Sequence, residues 1–248
     1  MSAPGDADTP GGASRPEGRG APGRNNPHIK SYVLQKQRMT KAQAAAYERL
    51  FGAYCTTLPD VPRDPRILFA HPERPLVLEI GFGMGRTTAR LAQARRDTNF
   101  LGVEVHRPGV GKLLHEIEQR ELSNIRIVQE DAVELLRNVI VDPLFDGIHV
   151  FFPDPWPKKR HHKRRLIRPG IVEILRDRLR PEGYLYVTTD WEDYAEQILA
   201  VLEETPGLEN RYQRFASRQE WRPKTAFEEK GLAQEHRIYE VYFTRPLR

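Results

Sequence analysis

Cysteine is almost absent: Cys55 is the only one in 248 residues. A lone thiol can neither close an intramolecular disulfide nor furnish a cysteine-rich metal site, so the chain is expected in a reducing compartment, the cytoplasm. No apolar run approaches the roughly 20 residues of a membrane span, and no apolar core resembling a signal peptide stands at the N-terminus. The first 28 residues contain no aromatic side chain and are rich in Gly, Pro, Ala and Ser. Such a segment cannot bury enough apolar surface to offset its ordering entropy, so residues 1–28 are expected to form a disordered tail. The adjacent His161 and His162 lack cysteine or carboxylate neighbours at ligand spacing, which argues against a metal site.

What remains is a basic chain, with a formal net charge of +5 and a pattern that changes rhythm along its length. A length of 248 residues suits one sizeable α/β domain, here residues 29–248. After a basic arm, "TKAQAAAYERLFGAY" carries Thr40 as N-cap and Ala44, Tyr47, Leu50, Phe51 and Tyr54 at helical spacing. From residue 75, apolar strands alternate with helices. The strands read as "PLVLEI", "NFLGVEV", "NIRIVQ", "FDGIHVFF" and "GYLYVTTD", and "NRYQRF" and "HRIYEVYFTR" close the sheet. This alternation predicts an α/β fold with a Rossmann-like, mostly parallel, doubly wound sheet and ligands at the carboxyl ends of its strands.

The first strand runs into "EIGFGMGRTT", with Gly81, Gly83 and Gly85 between strand and helix. Glycine admits positive φ and lets a ligand approach the backbone. The next strand ends at Glu104, an acid placed to accept from both ribose hydroxyls of an adenosine. The spacing is G-x-G-x-G, not the G-x-G-x-x-G of dinucleotide sites, and Glu79 stands just ahead of it. A pyrophosphate is disfavoured beside that carboxylate, whereas a cationic amino-acid portion is favoured. These features point to S-adenosylmethionine, with Asp131 of "QEDAVELL" placed to meet the adenine amino group. A nicotinamide dehydrogenase is disfavoured on the same grounds.

The fourth strand leads into "FFPDPWPKKRHHKRRL". Here Asp154 lies between Pro153 and Pro155, with six cations following among residues 158–165. The prolines fix φ and restrain their neighbours, so the carboxylate is presented with little entropy to lose. Trp156 is either a platform for a nucleobase or a core side chain covering the sheet edge. Lys158, Lys159, Arg160, Lys163, Arg164 and Arg165, with His161 and His162 among them, suit contacts to phosphates.

The blocks "EIGFGMG", "GVEVH", "FPDPWPKKRHHKRRL", "TTDWEDYA" and "KTAFEEKG" resemble, in order, those of bacterial tRNA (guanine-N7-)-methyltransferases. "SYVLQKQRMTKAQ" resembles that family's N-terminal arm. The likeness runs from about residue 30 to the C-terminus, and the Gly/Pro-rich tail is not part of it. The resemblance implies a class I S-adenosylmethionine-dependent methyltransferase fold, with Glu79, Glu104, Asp131 and Asp154 lining the cofactor site and Asp154 as the catalytic acid. It further implies that Lys158, Asp190, Thr225, Ala226, Phe227 and Glu228 contact the substrate and that residues 160 to 165 face RNA. The substrate would be guanosine 46 of the tRNA variable loop. Asp190 also suits an N-cap for a helix beginning at Trp191, and the two roles can coexist. A monomer or homodimer is expected, with tRNA as partner and without metal or membrane. Two other readings are methylation of an exocyclic amino group of a base and RNA binding with a vestigial cofactor site.

Overall fold

The computed structural model describes residues 29–33, 38–58, 60–224, 228 and 237–247. The expected tail at 1–28 and the block Thr225, Ala226 and Phe227 lie outside the described residues. Helix α1 (Lys41–Tyr54) begins in a reciprocal cap. The Thr40 hydroxyl accepts from the Gln43 N–H at 3.3 Å, and Gln43 Oε1 accepts from the Thr40 N–H at 2.9 Å, which satisfies two otherwise orphaned donors.

Beyond it comes β1 (Cys55–Thr56), a short strand the sequence did not announce, and then the alternation expected from residue 75: β2 (Leu76–Ile80), α2 (Arg86–Ala94), β3 (Asn99–Val103), α3 (Arg107–Gln119), β4 (Ile125–Val128), α4 (Ala132–Asn138) and β5 (Phe145–Phe151). Next come α5 (Pro169–Arg178), β6 (Leu179–Thr189), α6 (Glu192–Glu203), β7 (Glu209–Asn210) and β8 (Tyr239–Thr244). The strands form one sheet in the order β1-β4-β3-β2-β5-β6-β8-β7. All pairs are parallel up to β6, and β8 runs antiparallel to both β6 and β7.

Burial explains why the central strands read as continuous apolar runs. Leu76, Leu78 and Ile80 of β2 face a core shared with Leu135 of α4, Val172 of α5 and Ile198 of α6. Val77 faces the opposite core, with Ala46 of α1, Ala89 of α2 and Leu113 of α3. Both faces are covered, so no polar alternation survives. Each fully buried aliphatic side chain contributes about 1.5–3 kcal/mol.

Two local expectations need correction. The strand expected over "NRYQRF" is reduced to its first residue, since β7 comprises only Glu209–Asn210. The Asn210 side chain accepts from the Tyr212 N–H at 2.9 Å and donates to the Arg214 carbonyl at 2.9 Å, which folds the chain into a turn. Asp190 does not cap α6, because the helix starts at Glu192 with Trp191 in the capping position.

Candidate active site

Order reverses in the sheet where β2 has β3 on one side and β5 on the other, and a crevice opens there at the strand ends. A cavity of about 540 Å³ fills it, walled by the glycine turn, Glu104, Asp131, Phe151 and Asp154, with Ser31–Val33 crossing from the N-terminal arm.

Gly81 (φ 71°) and Gly83 (φ 58°) adopt the left-handed conformation, and a Cβ on either would project into open space. Both line the cavity. Gly85 (φ 67°) shares the left-handed conformation but not the open surroundings. It is the N-cap of α2, and a Cβ there would meet Leu113 Cβ at 2.6 Å. It is therefore a packing glycine that lets α2 sit against α3, and the expectation that it lines the cofactor site is corrected. Glycine at 109 serves the same turn from the other side, since a Cβ would come within 2.1 Å of the Gly83 carbonyl oxygen.

Glu104 ends the segment after β3 and grips the backbone around it. One oxygen accepts from the Gly83 N–H at 2.8 Å, and the other accepts from Val105 at 2.8 Å and His106 at 2.9 Å. Three of about four lone-pair positions are thus filled, which leaves one outward acceptor where the sequence suggested two. Burial raises its pKa and these amides oppose the rise. Asp131 caps α4, its Oδ1 accepting from Val133 at 2.8 Å and Glu134 at 3.3 Å. Tyr32 stands opposite, its pKa raised by burial and by the charge of Asp131.

Glu79 shares the sheet face of Val77 and is only 2% exposed, and it is not among the residues that wall the cavity. Burial pushes its pKa up to about 7, Thr88 opposes that shift, and the neighbouring Glu104 adds to it. Its Oε2 has no hydrogen-bond partner among the described residues.

The loop after β5 is held under strain. Phe152 (φ 50°) and Trp156 (φ 46°) are both left-handed, and they bracket Pro153-Asp154-Pro155. Bulky residues in that region cost on the order of 1–3 kcal/mol each, and they persist only where the surroundings impose them. The Phe152 N–H donates to the Thr188 carbonyl at 2.9 Å, and Arg165 Nε donates to the Pro155 carbonyl at 2.8 Å, clamping both ends. Asp154 is exposed at the cavity mouth, where partial desolvation raises its pKa above the ordinary aspartate value.

The basic block coils into a short 3-10 turn, Lys159–Arg164. Lys158, Lys159, Arg160 and Lys163 are exposed, and His161, His162 and Arg164 are half-buried. Arg165 is not part of that outer surface. At 1% exposure it donates to Gln197, Asp193 and Pro155, and its expected contact with RNA is corrected to an internal bracket. Glu228 is likewise buried, its two oxygens accepting from Arg222 at 2.7 and 2.9 Å. This arrangement pairs its carboxylate with a guanidinium inside the protein. Asp190 is half-buried at the carboxyl end of β6. Sequence reasoning missed Ser31, Tyr32 and Arg222 as site components, because an irregular arm and a single arginine carry no periodicity that announces burial.

A doubly wound sheet with a glycine turn, acids after β3 and β4, and a cavity at the switch point defines the class I S-adenosylmethionine-dependent methyltransferase fold. Residues 73–241 match a family model described as "Putative methyltransferase". The chain is 48% identical over 223 residues to the tRNA (guanine-N(7)-)-methyltransferase of Nitrosospira multiformis, covering 89% of this chain and 97% of that one. It is 49% identical over 218 residues to the protein of the same name from Bordetella pertussis, covering 88% and 85%. Among solved structures, the 16S rRNA methyltransferase KamB is similar in fold, with a TM-score of 0.51 at 14% identity over 87% of this chain and 99% of that one. The chain belongs to the tRNA (guanine-N7-)-methyltransferase family.

Proposed function

We propose that this chain transfers the methyl group of S-adenosylmethionine to N7 of a guanosine in tRNA, at position 46 of the variable loop, forming 7-methylguanosine. The observation that carries the reading is Asp154, a carboxylate fixed between two prolines at the mouth of a cavity that a glycine turn also lines. The cavity suits the cofactor. Gly81 and Gly83 leave room that any Cβ would fill, Glu104 keeps an outward acceptor, and Asp131 stands at the adenine side. These four residues would hold the cofactor, which supplies an electrophilic methyl group on a sulfonium.

Guanine N7 carries an sp² lone pair and no proton, so the transfer needs no general base. The protein's work is positioning and electrostatics. Asp154 accepts from the guanine N1–H and N2–H₂ donors and stabilises the positive charge that develops on the purine. Lys158 and the exposed cations of the turn hold phosphates, and Asp190 shares the holding of the base. Glu228 is held by its pairing with Arg222.

Incubation with labelled S-adenosylmethionine and unmodified tRNA, followed by nucleoside analysis, tests this reading. The expected product is 7-methylguanosine. A different methylated nucleoside, or tRNA binding without methylation, would overturn it.

A further inference from the structure

Trp156 is committed to the protein's own backbone. Its indole Nε1–H donates to the Ser31 carbonyl at 3.1 Å, joining residues 125 positions apart. The Arg164 guanidinium lies over the ring, 4.8 Å from its centroid, and His161 meets it edge-on at 5.8 Å. The ring is half-buried, and the backbone beneath it is held in the left-handed conformation. An indole with its donor engaged and its face covered by a cation is not an open platform for a base.

The far end of that hydrogen bond is a wall of the cavity. Ser31, Tyr32 and Val33 all line it, and Tyr32 stands beside Asp131. These residues lie in neither helix nor strand, so no ladder of backbone hydrogen bonds holds them in place. One side-chain donor from the catalytic loop therefore anchors a cofactor-facing wall, and Arg164, from the basic turn, anchors the donor.

We propose that Trp156 is a positioning residue whose indole N–H pins Ser31–Val33 across the cavity, so that Tyr32 closes the adenosine end of the cofactor site. The proposal rests on the methyltransferase reading of the cavity. Trp156 acts through the strap and touches neither the methyl group nor the guanine. Arg164, expected from its charge to contact tRNA phosphates, also supports cofactor binding by holding the ring.

The test uses the full chain with Trp156→Phe, which keeps the ring and removes the donor, together with Tyr32→Ala and the double variant. Calorimetry with S-adenosylmethionine gives cofactor affinity, filter binding gives tRNA affinity, and hydrogen exchange of the peptide containing residues 29–33 reports the pin directly. Loss of one partly buried hydrogen bond predicts a cofactor Kd weakened about three- to tenfold in Trp156→Phe, with faster exchange of the strap. The melting temperature and tRNA affinity are expected to stay at wild-type values. Because both residues act through one strap, the double variant binds cofactor no worse than Tyr32→Ala alone. Arg164→Ala is expected to weaken cofactor binding as well. Wild-type strap exchange and wild-type cofactor affinity in Trp156→Phe would overturn the proposal alone, as would additive losses in the double variant. No cofactor binding by the wild-type chain would overturn the reading of the cavity and the proposal with it.

Discussion

Arg165 and Asp193 form an ion pair at 2.5 Å that is lopsided in burial, the arginine side chain being 1% exposed and the aspartate 64%. The arginine lies over the Tyr194 ring and also donates to the Pro155 carbonyl, so one guanidinium ties the strained loop to α6. Arg165→Met is expected to destabilise the fold by about 2–3 kcal/mol, less than the loss of a fully buried pair because Asp193 returns to water. Arg165→Lys keeps the charge without the fork, and its stability should fall between those of wild type and Arg165→Met. Urea denaturation decides this. A variant as stable as wild type would return Arg165 to the outer surface.

The same burial redraws the tRNA grip. Lys159, Arg160 and Lys163 are exposed on one turn, whereas Arg164 and Arg165 are partly or wholly engaged within the protein. Reversing the charge of the exposed three is expected to weaken tRNA binding and flatten its salt dependence. The slope of log K against log[salt] should fall by about 0.7–0.9 for each phosphate that is no longer neutralised. Cofactor affinity should not change. A salt slope equal to wild type would mean that the turn is a solvated surface.

Asp154 gives the sharpest chemical prediction. Asp154→Asn keeps the shape and removes the charge, so turnover is expected to fall about 10²–10³-fold, as when one preorganised electrostatic group is removed from other active sites. Cofactor Kd should move little. Partial desolvation raises the Asp154 pKa above its ordinary 3.8, and the ionised carboxylate is the working form. Wild-type kcat should therefore fall as pH is lowered through that raised pKa, and Asp154→Asn should lack this limb. A variant with the full acid limb would assign the titration to another group.

Much of the sheet was legible because β2 to β6 are buried on both faces and bounded by glycines, acids and prolines. The same double burial hid which way Glu79 points. Both neighbours of Glu79, Leu78 and Ile80, are apolar and buried, so no polar stripe marks the cavity side there. Arg165 was indistinguishable from the cations around it, because its burial is set by Asp193 and Gln197, some 30 positions downstream. Trp156 was ambiguous for the same reason, its partner lying 125 positions earlier in the chain. Charge runs and aromatic residues name a chemistry, but only the tertiary partners say which members of the run face outward.

Glu79 provides the last prediction, through stability and pH. Its carboxyl is 2% exposed, and burial raises its pKa from 4.5 to about 7. An acid with a raised folded pKa holds its proton in the native state while the unfolded chain has already released it. Between about 4.5 and 7, native protein binds more protons, so stability falls as pH rises through that window, by up to about 1.4 kcal/mol per pH unit. Glu79→Gln cannot titrate. Its stability relative to wild type should rise from pH 4.5 to 7 and level off above. Urea denaturation of both proteins at pH 4.5, 6 and 8, without cofactor, gives the difference directly. Parallel profiles would mean that the Glu79 carboxyl is solvated enough to ionise normally.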